Sequence, residues 1–169
     1  MKTQLCEFCL KSGILCPKCL DKVRSNQVSD LDIKVARLLL EVEKKYPQIQ
    51  NVSFYKVYEV GGIYAIVFDR GSMAYLKGYE RQIIHEIQSK IGSKVKLFER
   101  GGGLRKFLED LFSPIPILTI NTIWLPDGSI ENRVVLARRK GGRLPFDLKT
   151  LNELAEKVKK VKLRIEFES

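Results

Sequence analysis

The chain is poor in histidine, the side chain most often used for acid–base catalysis, and it lacks the long apolar runs that membranes require. It has one histidine in 169 residues, His85. No cysteine and no evident nucleophile lie near it in sequence, so it reads as a surface or hydrogen-bonded imidazole and not a catalytic one. The only run of three glycines, Gly101-Gly102-Gly103, is not followed by Gly-Lys-Ser/Thr, which excludes a phosphate-cradling P-loop there. Apolar runs such as Arg37–Val42 are broken by charge within a few residues, so no stretch reads as a membrane span. The opening Met1-Lys2-Thr3-Gln4-Leu5-Cys6-Glu7 has no apolar signal core and no small-residue cleavage site. A cytoplasmic protein with reduced thiols is the expectation. The single tryptophan, Trp124, sits in an apolar strand pattern and reads as core, an exposed indole that docks a partner being the other reading. Nothing assembles a catalytic constellation, and a non-enzymatic protein without a small-molecule substrate is expected.

What the sequence does contain is positive charge. Lysine and arginine total 30 against 20 acidic residues, a formal net charge of +10, with a pI near 9.5. Such an excess favours polyanionic partners, RNA, DNA or an anionic membrane, with nucleic acid ahead; the plainer reading is solubility. The 44% of hydrophobic residues suffices for a real core, and the 30% that are charged suit small domains with much surface.

All four cysteines lie at the start, as Cys6-Glu7-Phe8-Cys9 and Cys16-Pro17-Lys18-Cys19. A Cys-x-x-Cys pair sets two thiolates on one ion, and two such pairs complete the tetrahedral Cys₄ set that structural zinc favours. Disulfides, a redox pair and an iron–sulfur cluster are the competing readings. The first two fit a reducing compartment and a doubled motif less well. Four protein ligands leave no open position for catalysis.

Periodicity places the remaining elements. After the polar stretch Arg24-Ser25-Asn26-Gln27, read as a joint, Ser29 caps a helix with Asp30 and Asp32 in its first turn. Leu31, Val35, Leu38, Leu39 and Val42 form its apolar face, and Pro47 follows its end. Val52–Val60 alternates, Gly61-Gly62 turns, and Ile63–Phe68 is a more buried strand. A short helix fits Ser72–Lys77, a longer one Arg81–Ile91 with Ile84, Ile87 and Ile91 inward, and Lys94–Glu99 alternates as a strand. Beyond the three glycines a similar order begins again: helix Leu104–Phe112, strands Ile117–Leu125 and Arg133–Arg138, a helix carrying Leu151, Leu154, Val158 and Val161, and strand Lys162–Phe167.

The α-β-β-α-α-β order, with a glycine turn between its later helices, resembles the type II KH domain. The KH turn pattern is Ile-Gly-x-x-Gly-x-x-Ile. Lys77-Gly78-Tyr79-Glu80-Arg81-Gln82-Ile83-Ile84 matches it at Gly78 and Ile84, with Arg81 in place of the second glycine. Lys90-Ile91-Gly92-Ser93-Lys94-Val95-Lys96-Leu97-Phe98-Glu99 resembles the Lys-Leu-Gly-Lys-Lys-Ile-Glu-Leu-Ile-Glu close of archaeal NusA-like proteins, which are tandem KH domains. The second copy has Asp147-Leu148-Lys149-Thr150 where a glycine loop belongs, and a basic loop, Arg138–Arg143, nearby.

The resulting expectation is an α/β (α+β) chain. A Cys₄ zinc knuckle at residues 1–24 precedes two type II KH-like modules, 29–100 and a degenerate 104–169. By resemblance it is a factor for transcription elongation or termination, bound to single-stranded RNA near RNA polymerase. A module that docks by protein contacts on the ribosome or another large RNA–protein machine is the alternative. Lys77, Gly78, Tyr79 and Arg81 are candidate RNA contacts in the first copy, and Arg138, Arg139, Lys140 and Arg143 in the second; the plainer reading for each set is a solvated turn or charged loop. Lys94, Lys96, Lys162 and Arg164 read as solvent faces of half-buried strands.

Overall fold

Two short helices open the chain in the computed structural model, α1 at Glu7–Ser12 and α2 at Pro17–Arg24. Each begins immediately after the first cysteine of a pair, and Pro17 at the first position of α2 suits a helix start because its missing N–H would be unpaired there anyway. The structure describes residues 1–138, 144 and 146–169. Among them are seven α-helices and two three-stranded sheets, a mixed α+β protein. The chain divides into two units, Met1–Gly101 and Gly102–Ser169.

In the first unit, α3 spans Asp30–Lys45 and starts where the capping pattern places it. The Ser29 hydroxyl accepts the Asp32 backbone N–H at 3.1 Å, and the Asp32 carboxylate accepts that of Ser29 at 2.9 Å. Val35, Ala36, Leu39 and Val42 are buried, while Leu31 and Leu38 lie half-buried at the margin of that face. A 3₁₀ turn, Pro47–Asn51, leads to β1 (Phe54–Val60), which pairs antiparallel with β2 (Ile63–Phe68). Gly61 and Gly62 join them with φ of +56° and +79°, a left-handed pair that glycine adopts without steric cost. Burial along β1 falls on Phe54, Val57 and Val60; a bulge between Phe54 and Lys56 shifts the alternation between the first two, and Val60 is buried where the strand meets its turn.

All six residues of β2 are buried, as a central strand covered on both faces requires. Helices α4 (Met73–Leu76) and α5 (Glu80–Ile91) connect it to β3 (Lys94–Glu99), which runs parallel to β2. The inward face of α5 is Ile83 and Ile87; Ile84, the anchor expected from the KH pattern, is only half-buried. Ile91 is half-buried as well, and with Ile84 it packs at the margin of the same cluster.

The cysteine segment does not stand apart as the boundary at residue 24 implied. Leu5, Cys9, Leu10, Cys19 and Val28 belong to the same apolar cluster as Val35, Leu39 and Phe54. The expected joint at Arg24–Gln27 is a closed helix end. Ser25 N–H donates to Asp21 O at 2.9 Å, Gln27 N–H to Lys22 O at 3.0 Å, and Asn26 takes a φ of +60°. Its polar composition belongs to a cap, which cap and linker share in sequence.

In the second unit, α6 (Gly103–Phe112) buries Phe107, Leu108, Leu111 and Phe112. Strands β4 (Ile117–Trp124) and β5 (Ile130–Leu136) form an antiparallel hairpin, and β6 (Leu163–Phe167) runs parallel to β5 after α7 (Leu148–Lys159). Its described order is thus α-β-β-α-β, as the periodicity gives for this stretch and one helix short of the full α-β-β-α-α-β plan. Trp124, expected in the core, is 73% exposed. It pairs with Ile130 at the turn end of the hairpin, where Ile130 is exposed as well. Arg133 and Arg164 face each other across β5 and β6, and each is paired with a carboxylate, Glu166 at 2.7 Å and Glu131 at 3.1 Å. Like charges directly opposite are thereby compensated.

Candidate metal centre and basic turn

The local helical geometry brings the four thiols together. Cys6 and Cys16 occupy the N-cap positions of α1 and α2, and Cys9 and Cys19 lie three residues on, within the first turn of each helix. All four sulfurs lie within 4.8 Å of one another. The Cys6 and Cys9 sulfurs are 3.0 Å apart and those of Cys19 and Cys6 3.7 Å. Tetrahedral thiolates at about 2.3 Å from a metal are separated by about 3.8 Å, whereas a disulfide would need about 2.05 Å. The Cys6 N–H points at the Cys19 sulfur at 3.4 Å, and the Cys16 N–H at the Cys9 sulfur at 3.1 Å. Each pair's leading backbone amide thus serves the second sulfur of the other pair.

Burial divides the set. Cys9 and Cys19 are enclosed in the apolar cluster, Cys16 is half-buried and Cys6 is exposed. Cys16 is lowered to about 7, first by the Cys19 backbone N–H, which faces its sulfur without closing a cap hydrogen bond, and then by the Cys19 and Cys9 thiols. Cys6 is also lowered, chiefly by the Cys9 side chain. Cys9 is pushed up to about 12, chiefly by its hydrogen bond with Cys6, and burial is the main cause that raises Cys19. The two N-cap sulfurs are thus the ones whose ionisation is favoured, and the two within the helices the ones in which it is opposed. Four sulfur donors at these separations fit a metal ion, and a bound metal would tie the starts of α1 and α2 together.

The second candidate group lies at the α4–α5 turn. Lys77 ends α4, Gly78 takes a φ of +88°, Tyr79 precedes α5, and Arg81 is in its first turn. A Cβ at Gly78 would meet nothing within 4 Å, so the backbone conformation and not crowding calls for glycine. Lys77, Tyr79 and Arg81 are exposed, while Glu80 is half-buried. Tyr75, which the sequence reading did not select, is 52% exposed on α4 just before the turn, and Tyr79 is 44% exposed. Its spacing of four residues before Tyr79, across a basic residue and a glycine, was the available signal.

In the second unit Arg138 is exposed after β5, and its backbone N–H donates to Glu168 at 3.0 Å. Arg139, Lys140 and Arg143 lie outside the described residues. His85 is exposed on α5.

No known protein family matches the chain. No curated protein matches it. Among solved structures, the crystal structure of a protein called APE1850 aligns over 76% of this chain and 96% of its own, at 15% identity and a TM-score of 0.46. At that score the likeness carries no inference about fold or function.

No helix is long and apolar enough to cross a membrane among the described residues.

Proposed function

We propose that the protein is a non-enzymatic, cytoplasmic RNA-binding factor in which the α4–α5 turn receives single-stranded RNA and a zinc ion on Cys6, Cys9, Cys16 and Cys19 braces the start of the first unit. The observation that carries this reading is the exposure of Lys77, Tyr79 and Arg81 around the left-handed Gly78, in a chain of net charge +10. Gly78 presents bare backbone to a phosphate, the two cations neutralise it, and the phenol ring offers a base a stacking face. Tyr79 supplies no capping side chain to α5, so no N-cap side chain covers the positive first turn of that helix.

The order α-β-β-α-α-β from Asp30 to Glu99 supports assigning this unit to the type II KH plan, and the shorter second unit to a degenerate copy. By the NusA-like resemblance the RNA is a nascent transcript near RNA polymerase. Zinc is the ion assigned because four thiolates with no open position are its usual structural set. Anisotropy of a labelled single-stranded RNA, titrated at several salt concentrations, tests the proposal. Affinity falling steeply with salt is expected, and no binding at low salt overturns it.

Docking on the ribosome or a similar machine through protein contacts is the second reading. Phe8 and Ile14, each 74% exposed on the cysteine segment, favour it. Recovery with such a machine that survives RNase would select it.

A further inference from the structure

Strand β4 pairs with β5 along one side, and among the described residues nothing pairs along the other. Edge strands are usually guarded by lysine, proline, a covering segment or short length, because their unpaired amides and carbonyls template further pairing. β4 has eight residues with no charge, proline or glycine among them. The uncharged stretch extends from Leu111 to Pro126 in a chain of which 30% is charged. Its one irregularity is a bulge between Ile117 and Thr119, which leaves Leu118 as the extra residue.

The first unit shows how this protein treats the equivalent edge. β1 holds the same place in its sheet as β4, antiparallel to a central strand that is parallel to the third. Around β1, Phe54 N–H donates to Lys2 O at 2.8 Å, Gln4 donates to Tyr55 O at 2.9 Å, and Val57 N–H donates to Asp32 at 2.9 Å. No such cover lies on β4 among the described residues.

We propose that β4 is a self-association edge, and that two copies of the chain join through antiparallel β4–β4 pairing about a twofold axis at Asn121. An isologous contact must be complementary to itself, and this one is. Leu118 and Trp124 lie three residues to either side of Asn121 and are 45% and 73% exposed. The twofold sets each copy's Leu118 across from the partner's Trp124, so the two exposed large apolar side chains of the strand meet twice. Ile120 comes opposite Thr122, and Asn121 opposite itself. No like charges face each other, the usual obstacle when a strand pairs with its own copy. Two three-stranded sheets merge into one of six strands.

Electrostatics gives this association a signature. Chains of net charge +10 repel one another, and that repulsion is screened over about 8 Å at physiological salt. Pairing through a neutral edge should therefore strengthen with salt, opposite in sign to RNA binding.

Sedimentation equilibrium of the full chain, treated with RNase, tests the proposal from about 1 µM to about 300 µM, where weak association is read. The expected mass rises from 19.4 kDa towards twice that value, more readily at higher salt. Trp124, the only tryptophan, should shift its emission to the blue along the same curve. Asn121→Lys sets two ammonium groups on the axis, and Leu118→Lys removes the apolar contact. Both replace exposed residues, and each should keep its circular dichroism while remaining a monomer; if one misfolds, the other decides. A mass of 19.4 kDa throughout, or a dimer retained by the folded variants, overturns the proposal.

Discussion

The Asp32 carboxylate accepts the backbone N–H of Val57 at 2.9 Å with one oxygen and the Ser29 N–H at 2.9 Å with the other. One buried side chain therefore caps α3 and ties it to the edge of β1. Asp32→Ala leaves two amides without their acceptor, one of them buried, and should destabilise the first unit by about 3 kcal/mol. Ser29→Ala removes only the cap and should cost about 1 kcal/mol. Urea unfolding followed by circular dichroism checks both. Equal losses would mean that the Val57 bond contributes nothing.

The cysteine segment should unfold with the body of the first unit. Leu10 is 1% exposed and packs in the cluster that holds Val35 and Leu39. Leu10→Ala should lower stability by about 2–4 kcal/mol as seen by probes on α3 and α5. A chain beginning at Val28 should lose cooperative melting, because Leu5 and Leu10 no longer cover α3. A truncated chain that melts as sharply as the whole one would contradict shared packing.

Much of this architecture was legible. The Ser29 cap, the Gly61-Gly62 turn, the fully apolar Ile63–Phe68 strand and the four-cysteine spacing each encode their structure locally, and the elements lie where those signals put them. The rest depends on contacts distant in sequence. Leu5 and Leu10 look no different in sequence from Phe8 and Ile14 of the same segment, and only packing against residues distant in sequence buries the first two and leaves the others exposed. Asp32 reads as a helix-start acid, and its bond to Val57 spans 25 positions. Trp124 alternates as a core residue would, yet it falls at the uncovered end of its hairpin. The α4–α5 turn was found through a motif, and Tyr75 was passed over because it lies before that motif.

Proton release should report the division among the thiols. Cys9 and Cys19 hold protons at neutral pH and must lose them to bind a metal, whereas Cys16, at about 7, is ionised above that pH and protonated below it. Zinc binding should release more protons at pH 6 than at pH 8, and affinity should fall as the pH drops through 7. Calorimetry in buffers of different ionisation enthalpy counts the protons. The same number at both pH values would contradict the assignment.

The purified protein should carry one zinc per chain. Cys16→Ser should lose the ion and lower the melting temperature of the first unit, since loop and core are joined there. Elemental analysis that finds iron, or no metal in freshly isolated protein, would refute zinc.

The most direct test of RNA binding at the α4–α5 turn compares salt dependence in Arg81→Glu and Tyr79→Ala, each first shown to be folded. If the turn receives RNA, Arg81→Glu weakens binding and reduces the log–log salt slope by at least about 0.7, the share of one phosphate contact on a single strand. Tyr79→Ala weakens binding by about 1–3 kcal/mol with the slope unchanged, because stacking releases no counterions. Both variants binding single-stranded RNA as the parent does, with the parent's slope, would contradict the account.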